Sequence, residues 1–243
     1  MSEVEVKIHP TWAEVILNRP ERKNAITGPL GIELAQAFCD LETQKEVAVI
    51  LLRGADGAFC SGLDLKAFNT EPPPDWMLQF PTIWRDVHRS LFKCSKTLVV
   101  ALERFAINGG AALALAADIL VVGEEAFLQV GEVQQGMAAP YNMAWLTLRH
   151  SPAVAAQVAL IGRRLNGAEL KRLGIAWQVV ADEQVLNQSI ELCEALAAYP
   201  SGALMRIKAG LRAHQPNDAD AWFDAIVKAD PLPKRASPQK VAS

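Results

Sequence analysis

The sequence predicts an α/β fold made from a recurring strand, strand, helix unit. Three observations carry that expectation: apolar runs of strand length recur as far as Val180, helical patterns separate them, and loops bearing glycine follow several of them. No sequence repeat of about 20 to 50 residues underlies the unit, so the repetition is structural.

Residues 4–8 and 12–17 alternate apolar with polar, as half-buried strands do, and the break at Pro10 predicts an antiparallel hairpin. Residues 19–24 form a polar turn. Thr27 then caps a helix whose Pro29 stands where a missing N–H costs nothing, and the helix ends near Gln44. Residues 47–52 are an apolar strand, closed by Gly54, Asp56 and Gly57 and leading into the loop Phe59-Cys60-Ser61-Gly62-Leu63-Asp64. Pro72, Pro73 and Pro74 exclude helix interior and predict a mobile surface loop at 71–75. Residues 76–94 place Trp84, Val87 and Leu91 at three- and four-residue steps, predicting an amphipathic helix. A strand at 97–102 precedes Asn108-Gly109-Gly110, which opens the apolar, helix-forming and hence buried run 111–117.

Residues 119–122 and 127–130 are two short strands. From Pro140 the pattern is mainly helical, with 175–180 the only later strand-like run, and Pro231, Pro233 and Pro238 mark a loose tail. The expected division is a core over residues 1–195 and a C-terminal helical region with its proline-rich tail over 196–243.

Composition narrows the function. Of 243 residues, 51% are hydrophobic, enough for a large core, while 24 Lys and Arg against 27 Asp and Glu leave a net charge of −3. No basic surplus exists to neutralise a phosphate backbone, so nucleic acid is excluded as a partner. The longest apolar runs, such as 113–122, are broken by Asp118 and fall short of the roughly 20 residues a bilayer requires, so no membrane span is expected. The acidic N-terminus lacks an apolar targeting stretch, which predicts a cytoplasmic location. Cys39, Cys60, Cys94 and Cys193 are widely spaced and form no CxxC pair, so they read as reduced, mostly buried thiols with neither metal nor disulfide.

Two glycine loops each follow a strand, and the second enters an apolar helix whose first N–H groups have no intrahelical partners. Such a helix start attracts negative charge. Neither loop fits GxGxxG or GxxxxGK[ST], which removes the usual nucleotide chemistry, and any one of Gly62, Gly109 and Gly110 alone would signify only a turn or close packing.

Leu17-Asn18-Arg19-Pro20-Glu21-Arg22-Lys23-Asn24-Ala25, Ala58-Phe59-Cys60-Ser61-Gly62-Leu63-Asp64-Leu65, Ile107-Asn108-Gly109-Gly110-Ala111-Ala112 and the segment 127–140 follow one another in order. Together they resemble the crotonase superfamily of enoyl-CoA hydratases and isomerases over about residues 4–210. The resemblance implies a spiral of ββα turns with a C-terminal helical part that builds a homotrimer or dimer of trimers. It also implies an acyl-CoA substrate, no cofactor beyond that CoA, and an oxyanion hole formed by the backbone N–H groups of Leu63 and Gly109.

Hydratases of the superfamily use two glutamates. Here the first aligns with Ala112 and only the second is present, as Glu132, a pattern similar to Δ3,Δ2-enoyl-CoA isomerases. The resemblance thus assigns Glu132 to proton transfer in an apolar pocket that raises its pKa. Substrate-contacting positions are Arg22, Lys23, Ala25, Ser61, Gly62, Asp64, Leu65, Gly110, Pro140 and Tyr141, with Arg22, Lys23 and Lys66 near the CoA phosphates. Asp64 is expected to brace the oxyanion loop, Asp118 to be structural, and His9, His88, His150 and His214 to be packing or surface residues. The alternatives are a hydratase, an acyl-CoA decarboxylase suggested by Pro140-Tyr141-Asn142, and a silent CoA-binding homologue. The short C-terminus predicts a more open or differently roofed acyl pocket.

Overall fold

A computed structural model describes residues 2–213 and 215–229. The proline tail and His214 lie outside the described residues. The expected α/β spiral is observed. A hairpin of β1 (Val4–Ile8) and β2 (Trp12–Leu17) opens the chain, followed by α1 (Gly28–Thr43), β3 (Val49–Gly54), the short α2 (Leu65–Phe68), and α3 (Phe80–Lys93). Next come β4 (Thr97–Leu102), β5 (Phe105–Ile107), α4 (Gly109–Leu115), β6 (Ile119–Gly123) and β7 (Phe127–Gln129). The remainder is α5 (Pro140–Arg149), α6 (Pro152–Ile161), β8 (Arg164–Asn166), α7 (Gly167–Arg172), β9 (Gln178–Val180), α8 (Val185–Ala197), α9 (Ala203–Arg212) and α10 (Ala219–Lys228).

Six strands form one sheet in the order β1-β2-β3-β4-β6-β9, parallel except for the hairpin, and β5-β7-β8 form a second. In the large sheet Val15, Leu52, Val100 and Leu120 stand in one cross-strand row and face the main core with α1 and α3. Alternate positions, among them Trp12, Val49, Leu51, Val99 and Val121, face α8 through Val185, Cys193 and Ala197. Burial on both faces makes the central strands continuous apolar runs. It also corrects the half-buried expectation for β2, all six residues of which are buried; the polar Glu14 inside it is paired with Arg53 at 2.6 Å.

Other departures are local. The helix expected over 76–94 is a 3₁₀ turn, Met77–Gln79, leading into α3, whose first turn holds Pro81. Strands β5 and β8 were not anticipated: each has three residues, too few to display a period, and β8 adds a second late strand to β9. Cys39 is exposed, whereas Cys60, Cys94 and Cys193 are buried. The half-buried carboxylate of Asp118 has the structural role expected of it. It accepts the Leu98 N–H at 2.8 Å and pairs with Arg149 at 2.8 Å and Lys208 at 2.5 Å. No helix among the described residues is long and apolar enough to cross a membrane.

The spiral positions the site. Three successive turns leave the sheets at one end, through the loop after β3, the start of α4 after β5, and the loop after β7. Bridges Ile26 to Leu63 and Cys60 to Ala106 sew the first of these loops to its neighbours.

Candidate active site

A cavity of about 400 Å³ opens where these three turns meet. Its lining includes Ser61, Gly62, Leu63 and Leu65 from the first, Asn108, Gly109 and Ala112 from the second, and Glu132, Pro140, Tyr141 and Asn142 from the third. Phe80 and Trp84 of α3 close one wall.

Gly62 has φ +87°, and a Cβ there would lie 2.8 Å from the Ile107 carbonyl oxygen, so glycine alone lets the loop bend against β5. That bend frees an amide. Ile26 N–H donates to the Gly62 carbonyl and Asp64 N–H to that of Ile26, while the intervening Leu63 N–H has no acceptor among the described residues. Gly109 N–H, the first of α4, likewise has none. Both residues line the cavity, which therefore presents two unpaired backbone donors of the kind that hold a developing oxyanion.

Asp64 braces the first loop. Its carboxylate accepts the Ala67 N–H at 3.1 Å and pairs with Arg19 at 3.0 Å and Arg22 at 2.9 Å. The Arg22 guanidinium beside it holds that carboxyl well below the usual carboxylate range. Arg22 is thus engaged within the protein, whereas Lys23 is exposed on the same turn, its carbonyl accepting the Ser61 N–H. Arg22, Lys23, Ala25 and Asp64 form the support beneath the loop and do not line the cavity. Gly110 stands behind it, where a Cβ would meet the Cys60 carbonyl oxygen at 2.6 Å.

Glu132 begins a 3₁₀ turn, Glu132–Gln135, and is the one carboxylate in the described lining. Its Oε1 accepts the Asn142 Nδ2–H at 2.9 Å, and its Oε2 is buried without a partner. Burial pushes the carboxyl up to about 7, against the lowering effect of its own backbone N–H and of Asn142. A base poised near neutrality suits proton abstraction from carbon.

Sequence reasoning overlooked Asn108, Asn142 and, apart from Tyr141, the aromatic wall. Trp84 meets His88 edge-on, with centroids 4.6 Å apart, and His88 stacks on Tyr141 at 4.3 Å. Trp145 Nε1–H donates to His88 Nδ1 at 2.9 Å, which assigns the neutral ring its proton on Nε2, and burial lowers its pKa to about 3. Phe223 of α10 packs against His88, Tyr141 and Trp145, and α10 is tied to α3 by Arg85 to Asp224 at 3.1 Å and Arg89 to Asp220 at 2.7 Å. Helix α10 therefore backs the aromatic wall of its own chain.

The sequence profile described as enoyl-CoA hydratase/isomerase matches residues 8–225. The chain belongs to that family. An Escherichia coli K12 relative named 1,2-epoxyphenylacetyl-CoA isomerase is 30% identical over 212 residues, covering 86% of this chain and 81% of the relative. An enoyl-CoA hydratase of Mycobacterium tuberculosis is 30% identical over 201 residues, covering 82% and 76%. The solved enoyl-CoA hydratase of Mycobacterium avium subsp. paratuberculosis K-10 has a TM-score of 0.82 at 22% identity, covering 94% of this chain and 92% of its own, and shares the crotonase fold. This member of the enoyl-CoA hydratase/isomerase family is accordingly an enzyme of CoA thioesters.

Proposed function

We propose that the enzyme moves the double bond of a 3-enoyl-CoA to the 2-position. The observation that carries the proposal is the single carboxylate of the cavity, Glu132, with one oxygen held by Asn142 and the other unpartnered. Glu132 Oε2 takes a proton from C2, and the electron pair delocalises through the C3–C4 double bond and onto the thioester oxygen. The Leu63 and Gly109 N–H groups hold that oxygen, each such donor contributing roughly 3 kcal/mol. The protonated carboxyl then returns its proton at C4, so base and acid are one group and no proton is gained or lost.

A hydratase must fix and activate water, for which the superfamily uses a second carboxylate. Ala112 occupies that position with a methyl group, 1% exposed and facing the cavity. The reaction uses no resident cofactor, since CoA enters as part of the substrate. Phe80, Trp84 and Tyr141 favour a compact, flat acyl group, in keeping with a relative whose name denotes a phenylacetyl-derived thioester. Exposed Leu160, Ile161, Ile207 and Leu211 support assembly of several copies, with a trimer or dimer of trimers as the proposed state.

The test is to offer 3-enoyl-CoA and 2-enoyl-CoA separately and identify the products. Formation of 2-enoyl-CoA, reduced at least 100-fold in Glu132→Gln, is expected. A 3-hydroxyacyl product as the main outcome, or near-wild-type turnover by the variant, overturns the proposal.

A further inference from the structure

Asn142 stands in the first turn of α5 with 2% of its surface exposed. Its Nδ2 donates to Glu132 Oε1 at 2.9 Å and to the Asn108 carbonyl at 3.2 Å. A carbonyl and a carboxylate only accept, so these two bonds fix which end of the amide is which. Oδ1 is left buried and unpartnered. An orphaned buried carbonyl is a cost that an apolar side chain of similar size avoids, so packing does not account for asparagine here.

Asn108 supplies the other half of the bracket. Its N–H donates to the Gln129 carbonyl at 2.8 Å, its Oδ1 accepts the Gly131 N–H at 2.8 Å, and its own carbonyl receives Asn142. The residue after it is Gly109, whose N–H is one of the two unpaired donors. Its backbone, at φ 51° and ψ −110°, lies in a region costly for a residue with a Cβ and is held there by these bonds.

We infer that Asn142 is a positioning residue: it occupies Oε1 of Glu132, leaves Oε2 as the atom that exchanges the proton, and ties that base through Asn108 to the oxyanion-hole helix. The assignment of Oε2 to proton exchange rests on the isomerase reading. The tie itself rests on geometry alone. An N–H donated to a carboxylate favours its ionised form, so Asn142 also restrains the rise that burial imposes on Glu132. The neighbouring ionisable groups are Tyr141 on the same helix, His88 behind it on α3, and the mutually paired Arg85 and Asp224; none of them contributes charge at Glu132.

The experiment compares the full-length wild type with Asn142→Leu and the nearly isosteric Asn142→Asp. It measures the pH dependence of kcat/KM on 3-enoyl-CoA and titrates Glu132 directly by carbon NMR in the unliganded enzyme. Asn142→Leu is expected to lower kcat about 10- to 100-fold with KM changed less than about threefold, and to move both the acid limb and the NMR titration up by about one pH unit. Asn142→Asp keeps the packing and sets a like charge beside the carboxylate, so it moves the titration further up. In a Glu132→Gln background, Asn142→Leu should add no further loss.

A residue that merely supported the helix would lower thermal stability and leave the titration in place. An unmoved Glu132 titration in both variants, or a loss confined to KM, overturns the inference. Because the titration needs no turnover, it decides the role of Asn142 even if Glu132→Gln proves active and the isomerase proposal falls.

Discussion

Replacing Glu132 by glutamine should remove the activity and, above neutral pH, stabilise the folded protein. Burial raises the native carboxyl from 4.5 to about 7. At about 1.4 kcal/mol for each pH unit, the folded state forgoes roughly 3 kcal/mol of stability once the group is ionised in both states. The sign follows from proton counts. Between pH 4.5 and 7 the native state binds a proton that the unfolded chain has released, so stability falls as pH rises through this window. Below it the carboxyl is neutral in both states and the cost is absent.

Urea denaturation of wild type and Glu132→Gln at intervals from pH 4 to 8.5 gives a difference curve in which the other titrations cancel. The advantage of glutamine should grow by roughly 3 kcal/mol from pH 4 to pH 8, its own amide adding only a constant offset. A flat difference curve would refute the claim that Glu132 is held neutral by burial, and with it the near-neutral base.

Three further perturbations bear on the site. Gly62→Ala, at φ +87° and with a Cβ 2.8 Å from the Ile107 carbonyl oxygen, should displace the Leu63 N–H and lower kcat by about 10²- to 10³-fold, with KM the lesser change in steady-state assays. Asp64→Asn breaks the pairs with Arg19 and Arg22 and should cost about 3 kcal/mol in urea denaturation at pH 7. The aspartate's native pKa is depressed, so its advantage is present above the ordinary 3.8 and is lost only as pH falls through the native value; the difference should persist at pH 4 and shrink at lower pH. Ala112→Glu sets a second carboxylate in the cavity and should yield 3-hydroxyacyl-CoA from 2-enoyl-CoA, seen by chromatography, while raising the Glu132 titration; an unaltered product and titration would count against the two-carboxylate account of hydration.

Much of this arrangement is legible in the sequence. The apolar runs at β3 and β4 declare sheet strands, whereas the amides of Leu63 and Gly109 are marked out only by the family resemblance that the ordered motifs carry. Glu132 stands out by its place in that order. Asn142 does not, because its importance arises only when α5 folds back so that one amide reaches both Glu132 and Asn108, 34 residues earlier in the chain. The same reason hides the aromatic wall: Trp84 and Val87 read simply as a helix face, and nothing local announces that His88 stacks on Tyr141 or that Phe223 seals the cluster. Strands β5 and β8 are too brief to carry a pattern and exist through their partnership with β7.

The two ion pairs between α3 and α10 make the backing of the aromatic wall sensitive to dissolved ions. Arg85 and Arg89 are 39% and 36% exposed, so concentrated electrolyte weakens their hold on Asp224 and Asp220. Glu132 is held by the buried amide of Asn142, which dissolved ions do not reach, whereas the loop of Leu63 leans on the pair of Asp64 with Arg22, itself 38% exposed. Ionic strength therefore acts on the support of the aromatic wall and on the brace of the Leu63 loop, and leaves the contact between Asn142 and Glu132 untouched.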